Sequence, residues 1–213
     1  MKYFKHLREE VQERKDPKSK TLHAFDMDEV LFHHDHSKLK VHVKDQHGKR
    51  VQSLTNTEYN DHKLKHGHSY DYGDFKSHKV FQKSAHPIHK MINKLKAIHK
   101  NNKNVEIVTA RSDMDDKHGF MKTLKHHGID PHHIHVRRAG NVGAPSPAEA
   151  KHKVIGDLVK KHGYKKVHLY DDSHANLKHF KKLKDDHPDV EFHAHHVSHD
   201  PETGHVKVTT TKA

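Results

Sequence analysis

Three times along this chain of 213 residues a short apolar run stops at side chains able to do chemistry. Leu22-His23-Ala24-Phe25 runs into Asp26-Met27-Asp28. Val105-Glu106-Ile107-Val108 runs into Thr109-Ala110-Arg111, and Val167-His168-Leu169-Tyr170 into Asp171-Asp172. Between these runs the apolar spacing is helical. Strands separated by helices imply right-handed crossovers and therefore a parallel α/β sheet covered on both faces. Sites in such sheets gather beyond the carboxyl ends of the strands, which is where Asp26, Thr109 and Asp171 all fall.

Two carboxylates one residue apart at a strand end enter the same crevice. One can attack a phosphorus atom while the other moves a proton. A carboxylate approaches a phosphate dianion only when a cation neutralises the repulsion, and oxygen-only ligands beside a phosphate favour magnesium. Asp-x-Asp alone is also ordinary surface-turn chemistry, so its weight comes from the other two strand ends. The Thr109 hydroxyl and the Arg111 guanidinium can hold phosphate oxygens, and Asp171 and Asp172 can complete a magnesium shell. Between them, Lys151 opens an amphipathic helix with Val154, Ile155, Leu158 and Val159 at i+3, i+4, i+7 and i+8. That stripe puts Lys151 at the front of the core-facing side and Lys153 about 200° round the helix, on the solvated face. Of the two, Lys151 is therefore the one expected to turn inward.

This ordered set resembles the haloacid-dehalogenase-like (HAD) superfamily of phosphohydrolases. Asp26 to Val30 stand where that family has a strand ending in Asp-x-Asp followed by Gly-Thr, Thr109 in its second motif, Lys151 in its third, and Asp171 with Asp172 in its fourth. The departure is Glu29-Val30 in place of Gly-Thr. The resemblance spans residues 21–36 and 87–197 and implies a Rossmann-like core. It also implies Asp26 as the nucleophile forming an aspartyl-phosphate and Asp28 as acid and base. Thr109 and Lys151 would hold the transferring oxygens, with Arg111 on the substrate phosphate. Magnesium would be held by Asp26, the backbone carbonyl of Asp28 and Asp171, with Asp172 in support. Thr-Ala-Arg, a lysine helix and Tyr-Asp-Asp are also similar, in part, to the phosphatase half of polynucleotide kinase-phosphatases and to small phage-encoded members. The implied substrate is a phosphomonoester such as a nucleotide or a nucleic-acid 3′-phosphate.

The expected organisation is an N-terminal helical segment over 1–20, a catalytic core over 21–37 and 82–200, a small cap insertion over 38–81, and an edge strand or tail over 201–213. Within the insertion, Leu39-Lys40-Val41-His42-Val43 alternates, Asp45-Gln46-His47-Gly48 is turn chemistry, and residues 50–54 return as the second arm of a hairpin. Residues 55–81 have little periodicity. Their aromatics Tyr59, Tyr70, Tyr72 and Phe75 either line a substrate mouth or pack the insertion. In the core, helices are expected from Pro87, over 120–127 and over 177–183, with strands over 134–136 and 190–193.

Hydrophobic residues make up only 31 % of the chain, but they cluster in runs, which favours a thin folded core over disorder. The absence of cysteine excludes a disulfide, a thiol nucleophile and cysteine-ligated zinc. No apolar run is long enough to span a membrane, and the first residues lack a signal-peptide hydrophobic region, so a soluble, cytoplasmic protein is expected. Lys plus Arg number 40 against 28 Asp plus Glu, a formal charge of +12. Such a surface attracts polyanions, nucleic acid included, and it equally keeps a small core soluble. The 31 histidines include the groups His33, His34, His36 and His193, His195, His196, His199. Imidazoles bind zinc, nickel or copper, yet histidines spread through every element specify no one site; their protonation near pH 6 would raise the charge and polyanion affinity further. Two other readings follow: a non-catalytic polyanion-binding protein on the same fold, and a histidine-rich metal-binding protein. The shared presence of Asp26, Asp28, Thr109, Lys151 and Asp171 favours the enzyme.

Overall fold

The computed structural model describes residues 19–101 and 104–213; the helix expected near the N-terminus, over residues 4–13, lies outside them. The chain enters through β1 (Thr21–Phe25) and leaves the core along β2 (Phe32–His34). An insertion follows, made of β3 (Val41–Lys44), β4 (Arg50–Leu54), α1 (Asn56–Asp61), β5 (Ser69–Asp71) and α2 (Gly73–Lys76). The chain returns through α3 (His78–Ser84) and β6 (Ala85–Pro87). The remaining core elements are α4 (His89–Lys100), β7 (Asn104–Thr109), α5 (Lys117–His126), β8 (His135–Arg138), α6 (Pro147–His162), β9 (Lys166–Asp171), α7 (His174–Lys181), α8 (Leu183–Asp186), β10 (Glu191–His199) and β11 (Val206–Lys212).

The main sheet runs β11-β10-β9-β1-β7-β8, parallel throughout except for the antiparallel edge strand β11. From β1 the chain builds outward to β7 and β8, then crosses back to β9 and β10. The reversal therefore lies between β1 and β9, the position where open α/β sheets form their crevice. Strand alternation explains the two buried faces. Phe25, Ile107, Tyr170 and Val197 pack under α4 and α5 with Met91, Leu95, Phe120 and Leu124. Leu22, Ala24, Val108, Leu169 and Phe192 pack under α6 and α7 with Ile155, Leu158, Leu177 and Phe180. Helices thus cover both sides, as expected for a Rossmann-like sheet.

Several boundaries differ from the sequence expectation. Helix α6 opens at Pro147, not at Lys151: the Ser146 hydroxyl caps the Glu149 N–H and Pro147 sits in the first turn, so Lys151 lies in the second turn. Pro87 is in β6, and α4 begins at His89. Strand β10 is nine residues long, more than twice the expected run. In the insertion, the β3–β4 hairpin turns at Gly48, whose φ of 76° is the left-handed conformation glycine adopts freely. A third strand, β5, pairs with β3. Tyr59, Tyr70 and Phe75 pack on Val41, Val43 and Leu54 as a small separate core. Helix α3 runs across residue 81, and Phe81 is fully buried in the main core. The two legs of the insertion are tied by the antiparallel β2–β6 pair.

Candidate active site

The carboxyl ends of β1, β7 and β9 bring Asp26, Thr109 and Asp171 together because β1 pairs with both neighbours in parallel register. Lys151 reaches them from the second turn of α6. The residue is only 1 % exposed, whereas Lys153 is exposed. Lys151 Nζ lies 2.8 Å from Asp26 Oδ2 and 2.7 Å from Asp171 Oδ2, so one ammonium bridges the carboxylates of β1 and β9. The other Asp171 oxygen, Oδ1, accepts from the Ser173 N–H and the Asn176 amide, both at 2.9 Å. Asp26 Oδ1 accepts from the Met27 N–H at 2.7 Å. Thr109 is buried, and its hydroxyl accepts the Arg111 N–H at 3.2 Å.

The electrostatics show a site short of positive charge. Burial, reinforced by Asp171 and Asp28, pushes the Asp26 carboxyl up to about 7 against the pull of Lys151. Asp172 is likewise raised by burial and by its carboxylate neighbours. Burial disfavours a charged Lys151, but Asp171 and Asp26 outweigh it and hold the ammonium protonated. One lysine thus faces three carboxylates, Asp26, Asp171 and Asp172, whose nearest ligand atoms all lie within 4.8 Å of one another. An all-oxygen donor set with that charge excess fits a hard dication such as magnesium.

Asp28 occupies a different environment. Its carboxylate takes a forked contact from Arg111, with Nε at 3.0 Å from both oxygens and Nη2 at 2.7 Å from Oδ1. His34 Nε2 lies 2.7 Å from Oδ1. Burial would raise the Asp28 carboxyl, but Arg111 and His34 overcome it and hold the group well below the ordinary carboxylate range. Arg111 is itself 3 % exposed. It donates Nη1 to the Phe75 carbonyl at 2.9 Å and packs against the Phe75 and Phe81 rings at 4.8 and 5.2 Å. Expected on a substrate phosphate, its guanidinium is here engaged with Asp28 and the insertion. The loop carrying it is pressed against Gly140, where a Cβ would come within 2.7 Å of the Ser112 nitrogen.

Two groups were beyond sequence reasoning. His34 stood out only as one of a histidine cluster, and nothing in its spacing points to Asp28. Asn176 carries no signal at all. Ser173 could have been read, since it caps α7 as a serine before a helix is expected to.

A parallel sheet with helices on both faces, carrying buried acids at the ends of β1 and β9, a hydroxyl at the end of β7 and a lysine from α6, defines a phosphohydrolase of the HAD type. Residues 52–195 match the family described as HAD superfamily, subfamily IIIB (acid phosphatase). The chain belongs to that family and is a phosphomonoester hydrolase. The matched span includes Thr109, Arg111, Lys151, Asp171 and Asp172, while Asp26 and Asp28 precede it. No curated protein and no solved structure matches the chain.

Proposed function

We propose that this phosphatase works with magnesium through an aspartyl-phosphate on Asp26. The observation that carries the reading is the Lys151 bridge between Asp26 and Asp171 at the sheet's reversal point. In the first half, an Asp26 oxygen bonds to phosphorus as the bond to the leaving oxygen breaks, and Asp28 gives that oxygen its proton. In the second half, Asp28 takes a proton from water, whose oxygen attacks phosphorus and frees Asp26 and inorganic phosphate. Thr109 and Lys151 hold the transferring oxygens. A magnesium ion on Asp26, Asp171, Asp172 and the Asp28 carbonyl would neutralise the phosphate as Asp26 approaches.

The Arg111 fork holds Asp28 ionised, the form required for taking a proton from water. To donate a proton in the first half, Asp28 must exchange that fork for the leaving oxygen; catalytic hydrogen bonds commonly form only in the substrate complex. The substrate reading is a nucleotide or a nucleic-acid end, supported by the net charge of +12 and its attraction for polyanions. The test of the chemistry is hydrolysis of an aryl phosphate with magnesium, its loss on chelation, and acid-stable capture of phosphate on the protein during turnover. Asp26→Asn should remove nearly all turnover, because an amide is a poor nucleophile; ordinary turnover in that variant would defeat the assignment.

A further inference from the structure

Immediately after the catalytic aspartates, Glu29 is the one described non-glycine residue with positive φ, at 58°. It stands where the family's motif has glycine, and that conformation is strained for a residue that bears a side chain. The loop holds it there through the Glu29 N–H on the Phe32 carbonyl at 2.8 Å and the Leu31 and Phe32 N–H groups on the Met27 carbonyl, both at 3.0 Å. The result is a carboxylate aimed at β2. Glu29 Oε1 accepts the His34 N–H at 3.2 Å, and Oε2 meets His33 Nδ1 at 2.8 Å. His36 completes the group: one ligand atom from each of Glu29, His33 and His36 lies within 4.8 Å of the others. Beside them the His199 ring, at the end of β10, lies 5.3 Å from that of His33, and its buried Nδ1 has no hydrogen-bond partner among the described residues.

We infer that Glu29, His33 and His36 bind a zinc-class divalent cation at the rim of the crevice, a site separate from the carboxylates that suit magnesium. The donor set decides the class. Two imidazole nitrogens and one carboxylate oxygen suit zinc, copper or nickel, whereas magnesium takes oxygen ligands. Three protein ligands leave further positions for water or for His199. The contact between Glu29 and His33 is already short. The His34 N–H on Oε1 fixes the carboxylate and leaves Oε2 for the metal, the kind of outer-shell support metal ligands need. Of the 31 histidines, this is the group that meets a carboxylate in such a set among the described residues. Because β2 is one leg of the insertion's stem, the bound ion would clip that stem to the turn following Asp28.

The test is calorimetric titration of the full-length protein with zinc chloride in saturating magnesium. It compares the parent with His33→Ala/His36→Ala and with a control pair on an exposed surface, His132→Ala/His133→Ala. The parent and the control should show a one-equivalent step that is weakened at least 100-fold in the His33/His36 variant. The same variant should lose the visible absorption that one equivalent of cobalt(II) gives in the parent, while magnesium-supported aryl phosphate turnover stays within about twofold. If the double variant does not fold, His36→Ala alone, at a partly exposed turn residue, gives the same comparison. Persistence of the one-equivalent step in the folded variant, or its equal loss in the control pair, overturns the inference; so does uptake in the parent with no one-equivalent step.

Discussion

Replacing Lys151 by methionine isolates the charge that joins Asp26 to Asp171. Methionine keeps the length of an unbranched side chain, so little cavity is left, but the ammonium 2.8 and 2.7 Å from two carboxylates is removed. Both partners are buried, and breaking a buried pair by deleting one member costs roughly 3–5 kcal/mol, because a charge is left without compensation. Against the 5–15 kcal/mol typical of whole domains, that is a large fraction. In urea it corresponds to a midpoint lower by roughly 2 M at the usual slopes. Magnesium supplies positive charge to the same carboxylates, so the difference from the parent should shrink when the titration is repeated at saturating magnesium. Turnover of an aryl phosphate should fall on the order of 10²–10³-fold, as expected for losing one preorganised charge on the transferring group. Lys153→Ala, on the exposed side of α6, should change stability by less than about 0.5 kcal/mol and leave turnover close to that of the parent. A Lys151→Met protein as stable as the parent without magnesium, or a Lys153→Ala protein equally damaged in turnover, would refute the reasoning.

Acid should unfold the protein through its histidine ladder. Burial, with His23, His195 and His193 from the adjoining strands and Lys166, pushes His168 down to about 3, and burial with Lys94 and His193 pushes His195 down to about 4. Both stay neutral in the fold while the unfolded chain protonates near 6.5, so this stability is present above about pH 6.5 and is lost progressively as pH falls toward 4; His168→Phe should flatten the decline in thermal midpoint between pH 7 and 5. Arg111→Lys keeps the charge but loses the fork on Asp28, and should lower turnover at least tenfold with smaller change in KM, measured by steady-state kinetics on the aryl phosphate. If the substrate is a nucleic-acid end, KM for a 3′-phosphorylated oligonucleotide should climb steeply between 50 and 200 mM salt while that for the aryl phosphate changes little; equal salt dependence would leave the positive charge as a solubility feature.

The strand ends were legible because each joins an apolar run to a polar stop, and a register of parallel neighbours then delivers Asp26, Thr109 and Asp171 to one place. The phase of α6 was legible for the same kind of reason: four apolar residues fix which lysine turns inward. Its start was misread even though Ser146, Pro147 and Glu149 spell an N-terminus, with the Ser146 hydroxyl also donating to the Glu149 carboxylate at 3.0 Å. Strand β10 was cut short because histidine serves as a ladder residue on its buried face. His195 stacks on Tyr170 at 4.2 Å and His168 on His193 at 4.7 Å, so a pattern that reads as polar in sequence is aromatic in the fold. The elements α1, α2, β5 and α3 are each seven residues or fewer, too short for a period to emerge. They are held by tertiary contacts such as Phe81 in the main core.

Arg111 shows why a motif read in one dimension gives position more readily than partner. The sequence places a guanidinium two residues beyond the Thr109 strand end, where either a phosphate or a carboxylate would satisfy its fork. Which one it meets depends on β2 and on the insertion, segments far from it in the chain. His34 closes one side of Asp28 and the Phe75 carbonyl takes the remaining guanidinium edge, while the Phe75 and Phe81 rings cover its faces. The position of Asp28 is therefore set jointly by β7, β2 and the residues that close the insertion. Arg111 thus spans Asp28 on one edge and the Phe75 carbonyl of the insertion on the other. The same contacts that hide the partner of Arg111 in the sequence thus tie Asp28 to the insertion.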